Sequence, residues 1–167
     1  MAQYTFDFMR GLLTRKNEKA LFPRSKERTL TSAQILTLFT TPVTVIPGVA
    51  FHVVVIDKIW LRKPAGVAYA GANAFQLRYK DGAGQVIEQI ASASLLNSVS
   101  ETSFALIGMF DGANVYREVD MGSADIIGQP VVANIPTANP TLGDQPVHMV
   151  IEYKLFPARF QVYPPDR

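Results

Sequence analysis

The chain has 167 residues, 48% hydrophobic and 18% charged, with 16 Lys and Arg against 14 Asp and Glu, two His and no Cys. That length and apolar content suit one compact domain. The missing cysteines exclude a disulfide framework, a thiolate zinc site, an iron–sulfur cluster and a cysteine nucleophile, and a formal charge of +2 is too small to make the whole chain a nucleic-acid binder.

Charge is uneven along the chain. Residues 1–29 hold seven basic and three acidic residues, a net of +4, whereas the remaining 138 hold nine and eleven, a net of −2. With Pro23 and apolar residues only in short clusters, the first segment cannot build a core of its own. It reads as an extended basic N-terminal arm (1–29) that docks on a partner through Tyr4, Phe6, Phe8 and Phe22 together with Arg10, Arg15, Lys16 and Arg24, the aromatics arguing against a frayed end without a role. Asp7 and Arg10 interrupt any signal-peptide core, so synthesis in a reducing cytoplasm is expected.

From residue 30 the pattern turns to β structure. Residues 29–38 first predict one or two helical turns, with Thr31 or Ser32 as N-cap and Ile35 and Leu36 facing inward. Residues 43–46, 49–61, 74–79, 86–90, 103–108, 115–119, 126–127, 131–135 and 147–156 then read as short strands bounded by Gly, Pro, Asn and Asp. About eight strands at this spacing, with one minor helix and no alternation of strand and long helix, predict an all-β antiparallel sandwich or barrel over 30–156. In 49–61 the residues Val53, Val55, Ile59 and Leu61 fall on one side and Val54, Ile56 and Trp60 on the other, as in a strand covered on both faces. In 147–156 Val147, Met149, Ile151, Tyr153 and Leu155 share one core face. Asp81-Gly82 predicts a tight hairpin with positive φ. The Gly- and Ala-rich residues 65–74 read as a loop or bulged strand entry, and the prolines between 128 and 146 as a cover for a sheet edge or a subunit contact. The extended C-terminal tail (157–167) pairs Phe160 and Tyr163 with Arg159 and Arg167, a second docking segment.

Chemistry-bearing groups are sparse. His52 and His148 both sit in apolar strands and read as structural residues. Asp111, Glu118, Asp120 and Asp125 form the densest acidic cluster; Glu118 and Asp120 could bind calcium or act as a glycosidase pair, but solvated loop charges fit them better. The glycine pairs at 82–84 and 108–112 lack a Gly-Lys-Ser/Thr or Gly-x-Gly-x-x-Gly context and read as turns. A basic arm with aromatics could touch nucleic acid, but no basic face on the body continues the path. No apolar run long enough for a membrane span occurs, since residues 43–56 are broken by Pro47, Gly48 and His52.

Residues 28–48 (RTLTSAQILTLFTTPVTVIPG) and 66–82 (GVAYAGANAFQLRYKDG), followed by the terminal strand, resemble head-decoration, or cement, proteins of tailed bacteriophages. The likeness spans roughly 28–156 and departs from the family pattern in the long basic segment before Arg28. It implies a jelly-roll-like sandwich on the outside of an icosahedral head, clamping neighbouring capsid subunits, with no reaction to catalyse and no cofactor or metal. The partners implied are the major capsid protein and further copies of the chain, a trimer being preferred to a dimer because three edge strands and proline-rich covers could close around a local three-fold. The place implied is the virion surface after synthesis in the bacterial host. The alternative is a carbohydrate- or receptor-binding sandwich of a phage tail or head fibre.

Overall fold

The computed structural model describes residues 23–107 and 124–158. The elements run β1 (Arg24–Leu30), α1 (Ser32–Ile35), β2 (Val43–Ile46), β3 (His52–Lys63), β4 (Ala74–Tyr79), β5 (Val86–Ala91), β6 (Thr102–Ile107), β7 (Val131–Asn134) and β8 (Val147–Pro157). Two four-stranded sheets have the orders β1-β8-β3-β6 and β2-β7-β4-β5, antiparallel throughout. Four of these pairings, β1 with β8, β2 with β7, β3 with β6 and β4 with β5, are those of one long hairpin folded at its middle. Rolling that hairpin adds the β3·β8 and β4·β7 contacts and splits it into two sheets, which is the jelly-roll connectivity. The all-β sandwich with one short helix is therefore present. The 115–119 strand and most of both arms lie outside the described residues.

The core fills the space between the two inner faces. Val147, Met149, Ile151 and Leu155 of β8 are buried, as the alternation predicts, and face Phe75, Leu77 and Tyr79 of β4 and Val131 and Ala133 of β7 across one hydrophobic cluster. The helical turn closes one end. Thr31 caps it through a reciprocal box: Gln34 N donates to Thr31 Oγ1 at 3.2 Å and Thr31 N donates to Gln34 Oε1 at 3.0 Å. Ile35 and Leu38 are driven fully into the core, with Leu36 packed at its margin.

Strand β3 departs from its expected two-faced pattern. Ile56 is opposite Tyr153 and Lys58 is opposite Glu152, so Asp57 is an extra residue, a β-bulge. The bulge changes parity: Val54 and Ile56 point into the core before it, and Ile59 and Leu61 point into the core after it. Asp57 is itself tied to Lys154 Nζ at 2.8 Å.

Three further expectations change. Residues 24–29, assigned to the arm, belong to β1, which pairs along its length with β8 from Arg24↔Tyr153 to Leu30↔Val147. Its side chains are exposed up to Leu30, so the segment carries no alternation, and the free edge of β8 decides its conformation. The 80–85 connection takes its left-handed residue at Lys80 (φ 68°) and not at Asp81-Gly82, because Asp81 organises the turn by accepting Ala83 N at 2.8 Å on Oδ1 and Gly84 N at 3.2 Å on its carbonyl. Gly84 is required for space, since a Cβ there would lie 1.7 Å from the Tyr79 carbonyl oxygen. Ile126 and Ile127 lie in a turn, with Ile126 fully buried as a plug.

Two tyrosines link the parts. Tyr79 of the second sheet donates its hydroxyl to Val54 O of the first at 2.6 Å, and Tyr69 donates to Gln145 O at 2.6 Å. Burial pushes both phenols up to about 12, with the negative charge of Asp144 adding to the effect at Tyr69. A folded-state pKa above the unfolded value near 10 means that the unfolded chain loses its proton first. Stability should therefore be unaffected by these groups below pH about 10 and fall as pH rises through about 12. Urea denaturation across that range checks this, and Tyr79→Phe should cost about 1 kcal/mol at neutral pH while flattening the alkaline loss. The bulge gives a second test. Deleting Asp57 makes the β3·β8 ladder continuous without changing any facing, so the loss should stay below about 2 kcal/mol. Inserting one alanine after Asp57 leaves two residues unmatched against β8, so β3 must either loop both out or slip its register with β8 by two residues, and the insertion should cost more than the deletion.

Candidate interaction surfaces

Antiparallel order places the odd-to-even connections (31–42, 64–73, 92–101 and 135–146) at one end of the sandwich. They hold one another: Asn139 Oδ1 accepts Phe39 N at 3.0 Å and Thr40 N at 3.3 Å, Asp144 Oδ1 accepts Val67 N at 2.9 Å, Gly66 N donates to Val99 O at 3.0 Å, and Ala70 bridges Thr141. The proline-rich 135–146 segment thus packs on its own chain. Gly143 takes φ +90° against the Tyr69 ring, where a Cβ would meet ring carbons at 2.3 Å.

Each of these four connections exposes one large apolar side chain: Phe39, Leu142, Val67 and Val99. The order of the strands beneath sets the connections that carry them side by side across the end, Phe39, Leu142, Val67, Val99, a ridge of four loops in which Leu142 and Val99 are each about two-thirds exposed (68% and 66%). Leu142 also has φ 59°, a left-handed conformation that costs a branched side chain about 1 kcal/mol or more. At the opposite end Phe51 repeats the combination, exposed and at φ 60°. Beneath the ridge Lys63 is shielded from water and donates to Pro64 O at 3.0 Å; burial pushes its pKa down, and the negative charge of Asp144 offsets part of that.

The second surface is the outer face of the β1-β8-β3-β6 sheet. The bulge turns Trp60 outward, opposite Val150 on β8 and Ala105 on β6, and these floor a groove of about 520 Å³. Its border is polar. Thr29 Oγ1 lies 3.0 Å from His148 Nδ1, and Arg62 forks onto Glu101 at 2.9 and 3.3 Å. That pairing raises the Arg62 pKa and lowers that of Glu101, through the hydrogen bonds first and the charges second. Lys58 Nζ stands 5.8 Å from the Trp60 ring centroid and 3.7 Å from Glu152. The outer face of the other sheet differs: Gln76 sits between Asn134 and Gln89 in register, hydrogen-bonds Gln89, and accepts Arg78 Nε at 2.7 Å.

Of the contact residues expected from sequence, Arg24 is described: it opens β1, exposed, opposite Tyr153. Tyr4, Phe6, Phe8, Arg10, Arg15, Lys16, Phe22, Phe160 and Tyr163 lie outside the described residues, as do Asp111, Glu118 and Asp120. Asp125 is bonded to Lys80 Nζ at 2.9 Å. His52 and His148 do not meet; His52 is opposite Pro157 and His148 opposite Arg62, at the two ends of β3. Sequence reading passed over the four ridge residues. Their signal is a lone apolar residue among small or polar neighbours, as in Gly66-Val67-Ala68, Ser98-Val99-Ser100 and Thr141-Leu142-Gly143. No protein-family model and no curated protein matches the chain.

Strain at one exposed position makes a stability prediction. Leu142→Gly should hold or raise the melting temperature, stabilising by up to about 1 kcal/mol, because glycine removes the left-handed cost and little packing is lost. Val99→Gly, in a connection without positive φ at that site, should not stabilise. Calorimetric melting of the two variants reads the difference.

Proposed function

We propose that the protein is a non-catalytic structural subunit of a virion, a decoration protein that seats on the outer surface of a tailed-phage head and clamps neighbouring capsid subunits. The observation that carries this reading is the ridge: four separate connections each present an apolar side chain at one end of a rigid sandwich, two-thirds exposed at Leu142 and Val99 and strained at Leu142. A lone exposed valine or leucine needs no explanation, but one on each of four neighbouring connections at the same end supports a contact surface there. The sequence resemblance of residues 28–156 supports the same reading. The basic arm and the aromatic tail supply further grip, and copies of the subunit, three around a local axis in the preferred arrangement, share the load.

The energetics suit a clamp that works by number. Fully burying a large apolar side chain yields about 1.5–3 kcal/mol, set against association costs of several kcal/mol. One ridge is thus a modest anchor, and many copies on a lattice are a strong one.

Co-sedimentation with purified heads of the cognate virus tests the proposal. The double variant Val67→Asp/Leu142→Asp, checked for native far-ultraviolet circular dichroism, should attach at least ~tenfold more weakly. Removing residues 1–22, which leaves β1 whole, measures the arm separately and should also weaken attachment. Undiminished attachment of both variants would overturn the reading.

A further inference from the structure

We propose that the groove on the outer face of the β1-β8-β3-β6 sheet is a binding site for an uncharged glycan, with a sugar ring laid on Trp60. The site is separate from the ridge, and the proposal stands whether or not the ridge grips a capsid. Three features define the ligand. The floor is a single indole flanked in register by Val150 and Ala105 on the neighbouring strands, with Lys58 Nζ 5.8 Å from its ring centroid. The C–H face of a pyranose is the apolar surface that stacks on such a ring, whose π face is electron-rich. Along one flank of the floor runs a cross-strand row of hydrogen-bonding groups of both kinds, Thr29, His148, Arg62 and Ser103, with Arg62 forked onto Glu101. Paired planar groups held by each other keep their geometry before a ligand arrives, as sugar hydroxyls require.

Charge excludes the competing ligands. Arg62 is matched by Glu101 and Lys58 by Glu152, and Glu27 and Arg28 of β1, which also line the groove, are opposite in sign, so the border carries no net charge to favour a phosphate, a sulfated polymer or a basic peptide. The volume, about 520 Å³, lies in the range of small-ligand pockets, and the apolar floor of three side chains is narrow for a protein interface core. Among the described residues the outer face of the second sheet is polar at its centre, where Gln76 bonds both Gln89 and Arg78.

Because Trp60 is the only tryptophan, intrinsic emission reports this site alone. Titration of the full chain with cellohexaose, maltohexaose, mannohexaose and chitohexaose should give a saturable shift in Trp60 emission with at least one of them. Calorimetry with that sugar should show Trp60→Ala and, by filling the groove, Val150→Arg weakening binding at least ~tenfold, while Trp60→Phe stays within about threefold. Size-exclusion profiles should be the same for all variants. The proposal is overturned if none of the four sugars shifts the emission, if Trp60→Ala and Val150→Arg bind as well as the parent, if heparin binds in preference to every neutral sugar, or if Trp60→Ala dissolves an oligomer, which would make the groove a contact between copies.

Discussion

One extra residue in β3 decides what each face of this molecule can do. In a regular strand Val54, Ile56, Lys58, Trp60 and Arg62 would share a side, and either the cations would enter the core or the aliphatics would leave it. The bulge at Asp57 removes the conflict by advancing the pleat one position, so the aliphatics on both sides of it meet β8's Leu155, Ile151 and Met149 in the core. The same step puts Trp60 outside, in line with Val150 and Ala105. Core and groove are therefore two consequences of a single irregularity, and the Asp57–Lys154 pair anchors it across the β3·β8 seam.

The jelly-roll pairing explains why an apolar ridge can exist without collapsing. Its four connections come from distant parts of the chain, and each is pinned by hydrogen bonds to a neighbouring connection, through Asn139, Asp144, the Gly66–Val99 contact and the Ala70–Thr141 bridge. Pinned backbones cannot fold Leu142 or Val99 back onto the core, so the side chains stay available at no further ordering cost when a partner arrives. Leu142 carries that logic furthest, because its left-handed backbone is a standing cost that nothing in its exposed packing repays.

Much of this was legible in the sequence, and the parts that were not share a cause. β2 and β4 fall where turn residues and β-branched runs placed them, and β8 shows the expected alternation, because in those segments local preference and burial agree. β1 was illegible: Arg-Ser-Lys-Glu-Arg-Thr has no apolar face, and only the open edge of β8 makes it a strand. The parity of β3 was illegible for a related reason, since a bulge is registered by the partner strand and leaves no composition of its own. The helical cap could be read because Thr31 and Gln34 are three residues apart, whereas the connections carrying Phe39, Val67, Val99 and Leu142 are brought to one end only by the order of the strands beneath them.

The two outer faces show which contacts the fold favours. On the β2-β7-β4-β5 sheet, Gln76 and Asn134 are already shielded from water, and Gln76 bonds both Gln89 and Arg78, so the middle of this face leaves little open surface for a partner. On the β1-β8-β3-β6 sheet the centre is Trp60, Val150 and Ala105, with the Arg62–Glu101 and Lys58–Glu152 pairs beside it and Glu27 and Arg28 of β1 along its edge. A ligand there releases water from apolar surface at the centre and adds hydrogen bonds at the edge, without disturbing any pairing that stabilises the sandwich. The asymmetry between the sheets leaves the ridge end and the groove face as the directions in which contact is least costly.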